Sequence, residues 1–222
     1  MVEIIPAILE KDWEEVENKL NLVEGLTPYV QIDITDGNLT PEASWDNAEQ
    51  LKFFMDNNRP SFSVEIDLMT TDQELQIQQW VGAGASRLIF HFEALSSPGV
   101  IFEILEGLEM EMPDAKKVEV GFALNVTTPI EDVYPWLDKI NLVQLMGIDK
   151  IGFQGEPFDE RVLDNIKALR KKSPNTIISI DGGVNFESAP KLIKAGANIL
   201  ISGSSIFKKG DILENIEKLQ NN

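Results

Sequence analysis

The feature that most constrains this chain is an alternation that runs from one end to the other: short segments rich in β-branched residues, each followed by a longer amphipathic stretch. Strands are expected near Glu3 to Ile8, Tyr29 to Ile34, Ser61 to Leu68, Arg87 to Phe92, Val118 to Leu124, Asn141 to Met146, Thr176 to Ile180 and Asn198 to Ile201. Between them, Trp13, Val16, Leu20 and Val23, and again Val162, Ile166 and Leu169, recur at three- and four-residue spacing and therefore share one helix face. Ile212, Ile216 and Leu219 repeat the pattern in the last helix. Small-residue turns at Gly82 to Ala85 and Ala195 to Ala197 stop helices just ahead of strands, and Thr71 and Ser97, with acidic residues close behind, mark helix starts. Eight alternations in 222 residues favour one α/β domain over residues 1–222, a single-domain (β/α)8 TIM barrel. The alternative is an open doubly wound sheet, but no Gly-x-Gly-x-x-Gly turn follows the first strand to support it.

Charge narrows the partners. The chain carries 19 Lys and Arg against 37 Asp and Glu, a formal net charge of −18, with the basic residues unclustered. Neither a nucleic acid nor an anionic membrane surface is an expected partner for such a polyanion. With no Cys, thiolate metal sites and thiol nucleophiles are excluded, and a single His rules out two-His metal chemistry. The amino terminus has no signal-peptide pattern and no apolar run approaches the ~20 residues of a membrane span, so a cytoplasmic location is expected.

Residues two apart on a strand share a face, and in a barrel one face points into a packed interior. Gln31 with Asp33, Glu65 with Asp67, His91 with Glu93, and Ser179 with Asp181 are such pairs at or near strand carboxyl ends, where this fold does its chemistry. Buried carboxylates cost several kcal/mol unless paired, bonded to donors or metal-bound. Asp33 with Asp181 therefore reads as functional, whereas Glu65 alone reads as an ordinary solvated acid. His91 is balanced between filling the barrel and touching a substrate, and Met69 and Met146 read as core filler.

Glycines cluster in three loops: Gly152 and Gly155 after the sixth strand, Gly182 and Gly183 after the seventh, and Gly203 with Ser204 and Ser205 after the eighth. Loops seven and eight are the recurrent phosphate site of this barrel. In so acidic a chain, fixed backbone amides would have to hold the phosphate.

These residues resemble the ribulose-phosphate 3-epimerase family over nearly the whole length. The resemblance is carried by Ile5 to Leu9 (Ile-Pro-Ala-Ile-Leu), Gln31 to Gly37 (Gln-Ile-Asp-Ile-Thr-Asp-Gly), Glu65 to Met69 (Glu-Ile-Asp-Leu-Met) and His91 to Ala94. It continues through Ala123 to Glu131, Gly152 and Phe153, Asp181 to Val184 (Asp-Gly-Gly-Val) and Gly203 to Phe207. The resemblance implies a barrel of the ribulose-phosphate-binding type, a phosphorylated sugar as ligand, a homo-oligomer, and epimerisation at C3 of a ketopentose or ketohexose phosphate. Asp33 and Asp181 would be the two acid/base groups, exchanging protons on opposite faces of the sugar through an enediolate. The glycine loops would hold the phosphate, and the loop around Gly152 would close over the sugar.

The departures fall on the metal site. The family binds a divalent ion with two His and two Asp. Here the set is Gln31, Asp33, Asp67 and Asp181, oxygen-only and better suited to Mg²⁺, Mn²⁺ or Ca²⁺ than to zinc, unless the metal is absent. Further changes are Ala7 for a substrate-contacting Ser, Thr35 for Met, and Glu156 for Gln beside the phosphate loop. A non-catalytic or repurposed sugar-phosphate-binding barrel is the second reading. Lyase or decarboxylase chemistry lacks the Asp-x-Lys pattern, because Glu65 to Met69 contains no Lys.

Overall fold

A computed structural model describes residues 2–111, 117–152 and 156–221. Eight strands, β1 (Glu3–Ile8), β2 (Tyr29–Thr35), β3 (Ser63–Met69), β4 (Arg87–His91), β5 (Glu119–Leu124), β6 (Leu142–Met146), β7 (Ile177–Asp181) and β8 (Ile199–Ser202), form one closed ring in chain order. Every pairing is parallel, including that of β1 with β8. The helices are α1 (Trp13–Leu22), α2 (Ala48–Asn58), α3 (Gln73–Gly82), α4 (Pro98–Glu111), α5 (Val162–Lys172), α6 (Ala189–Ala195), the short α7 (Ser204–Phe207) and α8 (Ile212–Gln220). A 3₁₀ segment, Ile130–Trp136, takes the place of a helix between β5 and β6. The expected (β/α)8 TIM barrel is therefore the fold.

Two cores follow from the period-two rule. Val30, Ile32 and Ile34 of β2, Val64, Ile66 and Leu68 of β3, and Val143 and Leu145 of β6 pack outward against the helices in one large cluster. The lumen holds a much smaller apolar cluster of Ile5, Ala7, Ile89, Ala123, Leu142, Met146, Ile199 and Ile201. The alternate residues of β2, β3, β6 and β7 are polar yet buried, namely Gln31, Asp33, Glu65, Asp67, Gln144 and Ser179. An interior this polar is a cost that packing alone does not repay.

Two expectations are corrected at strand ends. β4 stops at His91, and a 3₁₀ turn over Phe92–Ala94 swings Glu93 out of the lumen, where it accepts hydrogen bonds from Asn125 N (2.8 Å) and the Thr128 hydroxyl. Thr71 is no helix cap: α3 starts at Gln73, and Thr71 instead donates its N–H and hydroxyl to Asp36 Oδ2, each at 2.8 Å. Among the described residues Asp12, Asn47 and Asp211 cap helices with their side chains, accepting from Glu15 N, Gln50 N and Glu214 N at 3.0–3.1 Å. α4 begins at Pro98, directly after Ser97. Among the described residues no helix is long and apolar enough to cross a membrane.

Candidate active site

The carboxyl ends of β2, β3 and β7 bring three carboxylates together. Asp33, Asp67 and Asp181 each offer an oxygen, all within 4.8 Å of one another, a spacing that could hold a divalent ion. Register sets this up: Asp33 lies beside Asp67 across β2 and β3, and Asp181 ends β7 on the far side of β8 and β1. Gln31 sits one pleat below Asp33 and is fully buried. Its Nε2 donates to Asp33 Oδ1 at 2.7 Å and to Asp181 Oδ2 at 2.8 Å, so one amide nitrogen bridges the pair. Its Oε1 is buried without a partner.

Asp67 is held from the opposite wall. His91 Nε2 lies 3.0 Å from its Oδ1, and Gln144 Nε2 donates to its Oδ2 at 2.9 Å. His91 thus fills the barrel, its charge state set by its neighbour. Burial works against the imidazolium, but the adjacent Asp67 carboxylate outweighs it and the pKa rises. For Asp33 and Asp181 burial dominates and mutual repulsion with the neighbouring carboxylates adds to it. Asp33 is raised well above the usual carboxylate range, and Asp181 is pushed up to about 7. The Gln31 amide pulls in the other direction on both and is outweighed. Two carboxyls so placed keep a proton between them near neutrality, which is what a proton-transfer pair requires.

Asp33 and Asp181 open into a cavity of about 140 Å³ whose wall also includes Ala7, Met69 and Met146, with Gly152 and Glu156 on the β6 side and Gly182, Gly183, Gly203 and Ser204 on the β7–β8 side. The structure therefore gathers the expected carboxyl pair and the expected glycine loops around one space. Gly155 lies outside the described residues. Gly182 and Gly183 adopt φ of +87° and +67°, and a Cβ on Gly183 would sit 2.8 Å from Phe158 Cα, so glycine is required at this turn by both strain and close approach. Gly203 and Ser204 head α7, where first-turn N–H groups have no intrahelical acceptor. Among the described residues no Lys or Arg lines the cavity, and Glu156 adds a third acid to its wall.

Beneath the carboxylates the lumen is closed by an ion pair. Glu65, expected to be a solvated acid, is 1% exposed and accepts from Arg87 Nη1 at 2.5 Å, while Arg87 also bonds Glu119 at 2.8 Å and lies over the Tyr29 ring. Glu65 shares its lumen-facing side with Asp67, two residues on, and this period-two placement could have argued for burial. Sequence reasoning missed Gln144 as well; a lone Gln in the run Leu-Val-Gln-Leu-Met was the available signal. Thr35, by contrast, turns its hydroxyl to Glu42 O at 2.8 Å, in the loop after β2.

Residues 3–207 match the family described as the ribulose-phosphate 3 epimerase family. The ribulose-phosphate 3-epimerase of Bacillus subtilis is 29% identical over 99% of this chain and 99% of its own length. The chloroplastic ribulose-5-phosphate-3-epimerase of Arabidopsis thaliana is also 29% identical, over 98% of this chain and 75% of its own. Among solved structures, KGPDC from Streptococcus mutans superposes with a TM-score of 0.74 at 13% identity, covering 99% of this chain and 96% of the other. The 3-hexulose-6-phosphate synthase of Salmonella typhimurium gives 0.70 at 14% identity, covering 99% and 97%. At those identities the two structures speak for the fold alone.

Proposed function

The chain belongs to the ribulose-phosphate 3 epimerase family, and on that premise we propose that it epimerises a ketose phosphate at C3, using Asp33 and Asp181 as the two proton-transferring groups. The observation that carries this reading is the placement of both carboxyls on one cavity together with the glycine loops after β7 and β8. The ketone at C2 acidifies the C3 proton. The ionised carboxyl takes that proton, the electron pair of the C3–H bond moves into an enediolate, and the other carboxyl, still protonated, returns a proton to the opposite face. Raised pKa values on both groups let one be ionised and the other neutral near pH 7.

The phosphate would rest on backbone amides of Gly183, Gly203 and Ser204, since among the described residues the cavity wall offers no side-chain cation. Ketopentose and ketohexose phosphates both satisfy this chemistry. A hard divalent ion, Mg²⁺, Mn²⁺ or Ca²⁺ ahead of zinc, would suit Asp33, Asp67 and Asp181 taken alone. The fourth group does not fit one: Gln31 aims a donor nitrogen, not its oxygen, at Asp33 and Asp181.

The test is exchange of the C3 hydrogen of ribulose 5-phosphate with heavy water, followed by NMR. Wild type is expected to exchange and to form the C3 epimer. Asp33→Asn and Asp181→Asn are each expected to slow this by about 10³-fold, within the usual range for a general acid or base. Undiminished exchange in either variant would remove that residue from its role.

A further inference from the structure

The three carboxylates of this site are each met by a side-chain N–H donor. Gln31 spans Asp33 and Asp181 through one nitrogen, and His91 and Gln144 take the two oxygens of Asp67. A cation on the Asp33 and Asp181 oxygens that Gln31 Nε2 now bridges would have to displace that donor nitrogen. Turning the amide over would bring a third oxygen against two carboxylates, an arrangement of acceptors that is favourable only around a cation. The two arrangements exclude one another on those oxygens.

We propose that Gln31 performs, as part of the chain, the bridging that a resident divalent ion would otherwise perform, so that the site works without a bound metal. The inference rests on the epimerase reading above and deepens it. Gln31 is here a positioning residue: it aligns Asp33 and Asp181 and lets them approach closely although both are acids. It acts through the two carboxyls and stays buried beneath them, outside the cavity wall.

The experiment uses the whole 222-residue chain and reads metal and turnover separately. Elemental analysis of purified wild type, and titration with Mn²⁺ followed by electron paramagnetic resonance, are expected to show no stoichiometric divalent ion, and chelator is expected to leave the rate of C3 exchange unchanged. Gln31→Glu keeps the side-chain shape but replaces the bridging donor by an oxygen. It is expected to lower exchange by about 10²-fold, the scale of misplacing a reacting group by about 1 Å, and to create a Mn²⁺ site at the cluster. Gln31→Leu removes the donor without adding a ligand, and is expected to lose exchange without gaining Mn²⁺. Stoichiometric ion in wild type, or exchange that chelator abolishes and Mn²⁺ restores, would overturn the proposal. Wild type that neither binds Mn²⁺ nor exchanges under any condition would instead sink the epimerase reading and leave the metal-free arrangement standing.

Discussion

The upper and lower halves of the barrel lumen bury carboxylates in opposite ways. At the bottom, Glu65 is joined to Arg87, which is itself held by Glu119 and packed on Tyr29. At the top, Asp33 and Asp181 have only an amide between them, and the imidazole of His91 is committed to Asp67. Burial is severe in both places, and it lifts Glu65, like Asp181, to about 7 even though Arg87 pulls the other way. What differs is what becomes of the negative charge. A fixed guanidinium makes the lower acid a structural plug sealed from the cavity, whereas the upper pair has no such partner and opens onto the space where a ligand could exchange a proton with it.

Removing the guanidinium should break the contrast most visibly. Arg87→Met strands Glu65 in the lumen, and an uncompensated buried charge costs about 3–5 kcal/mol. At roughly 2–4 °C per kcal/mol for a chain of this size, thermal unfolding monitored by circular dichroism is expected to fall by about 10 °C. Arg87→Met combined with Glu65→Leu should recover much of that loss, because both charges are then gone, and the exchange rate per folded molecule should change little.

Stability against pH sharpens the comparison at the upper pair. A carboxyl whose pKa is raised on folding stabilises the native state below its unfolded value near 4, and that contribution disappears as pH rises through the folded value, here about 7 for Asp181. Asp181→Asn carries no such charge. Its unfolding temperature is therefore expected to overtake that of wild type as pH rises from 5 to 8, by a few degrees at the upper end. A constant offset across that range would show that Asp181 titrates as an ordinary surface acid.

The smallest effect is expected at the cavity wall. Glu156→Gln removes an acid beside the glycine loops, and relief of repulsion worth roughly 1 kcal/mol would lower KM for a phosphate ester by about fivefold with kcat unchanged. An unaltered KM would place the Glu156 carboxylate away from the bound phosphate.

Much of this was legible in the chain because the barrel repeats one local rule. Period-two alternation located the lumen-facing residues of β2 and β7 and hence Asp33 and Asp181, and the turn glycines of β7 and β8 lay beside them. What was not legible depends on pairing across strands. Nothing near Glu65 announces Arg87, which reaches it only through the β3–β4 register, and the bonds of Gln144 and His91 to Asp67 likewise cross the lumen. Gln31 was expected among the metal ligands by its place in a motif. Its orientation, with nitrogen toward two acids, is decided by a β7 residue 150 positions away. Glu93 was misread for a different reason: a strand's period continues in the sequence after the backbone has left the sheet, and His91 is where β4 ends.

The order of the ring has a consequence for when this pocket comes into existence. Gln31 near the start of the chain meets Asp181 near its end only across β1 and β8, the first and last strands to leave the ribosome, whose pairing closes the circle. Contacts so distant in sequence form late, after most loop-closure entropy has been lost. Catalysis therefore reports on completion of the whole ring: a chain halted before Ile199 has the acids and the glycines of the β7 turn in its sequence, but no seam to draw them together.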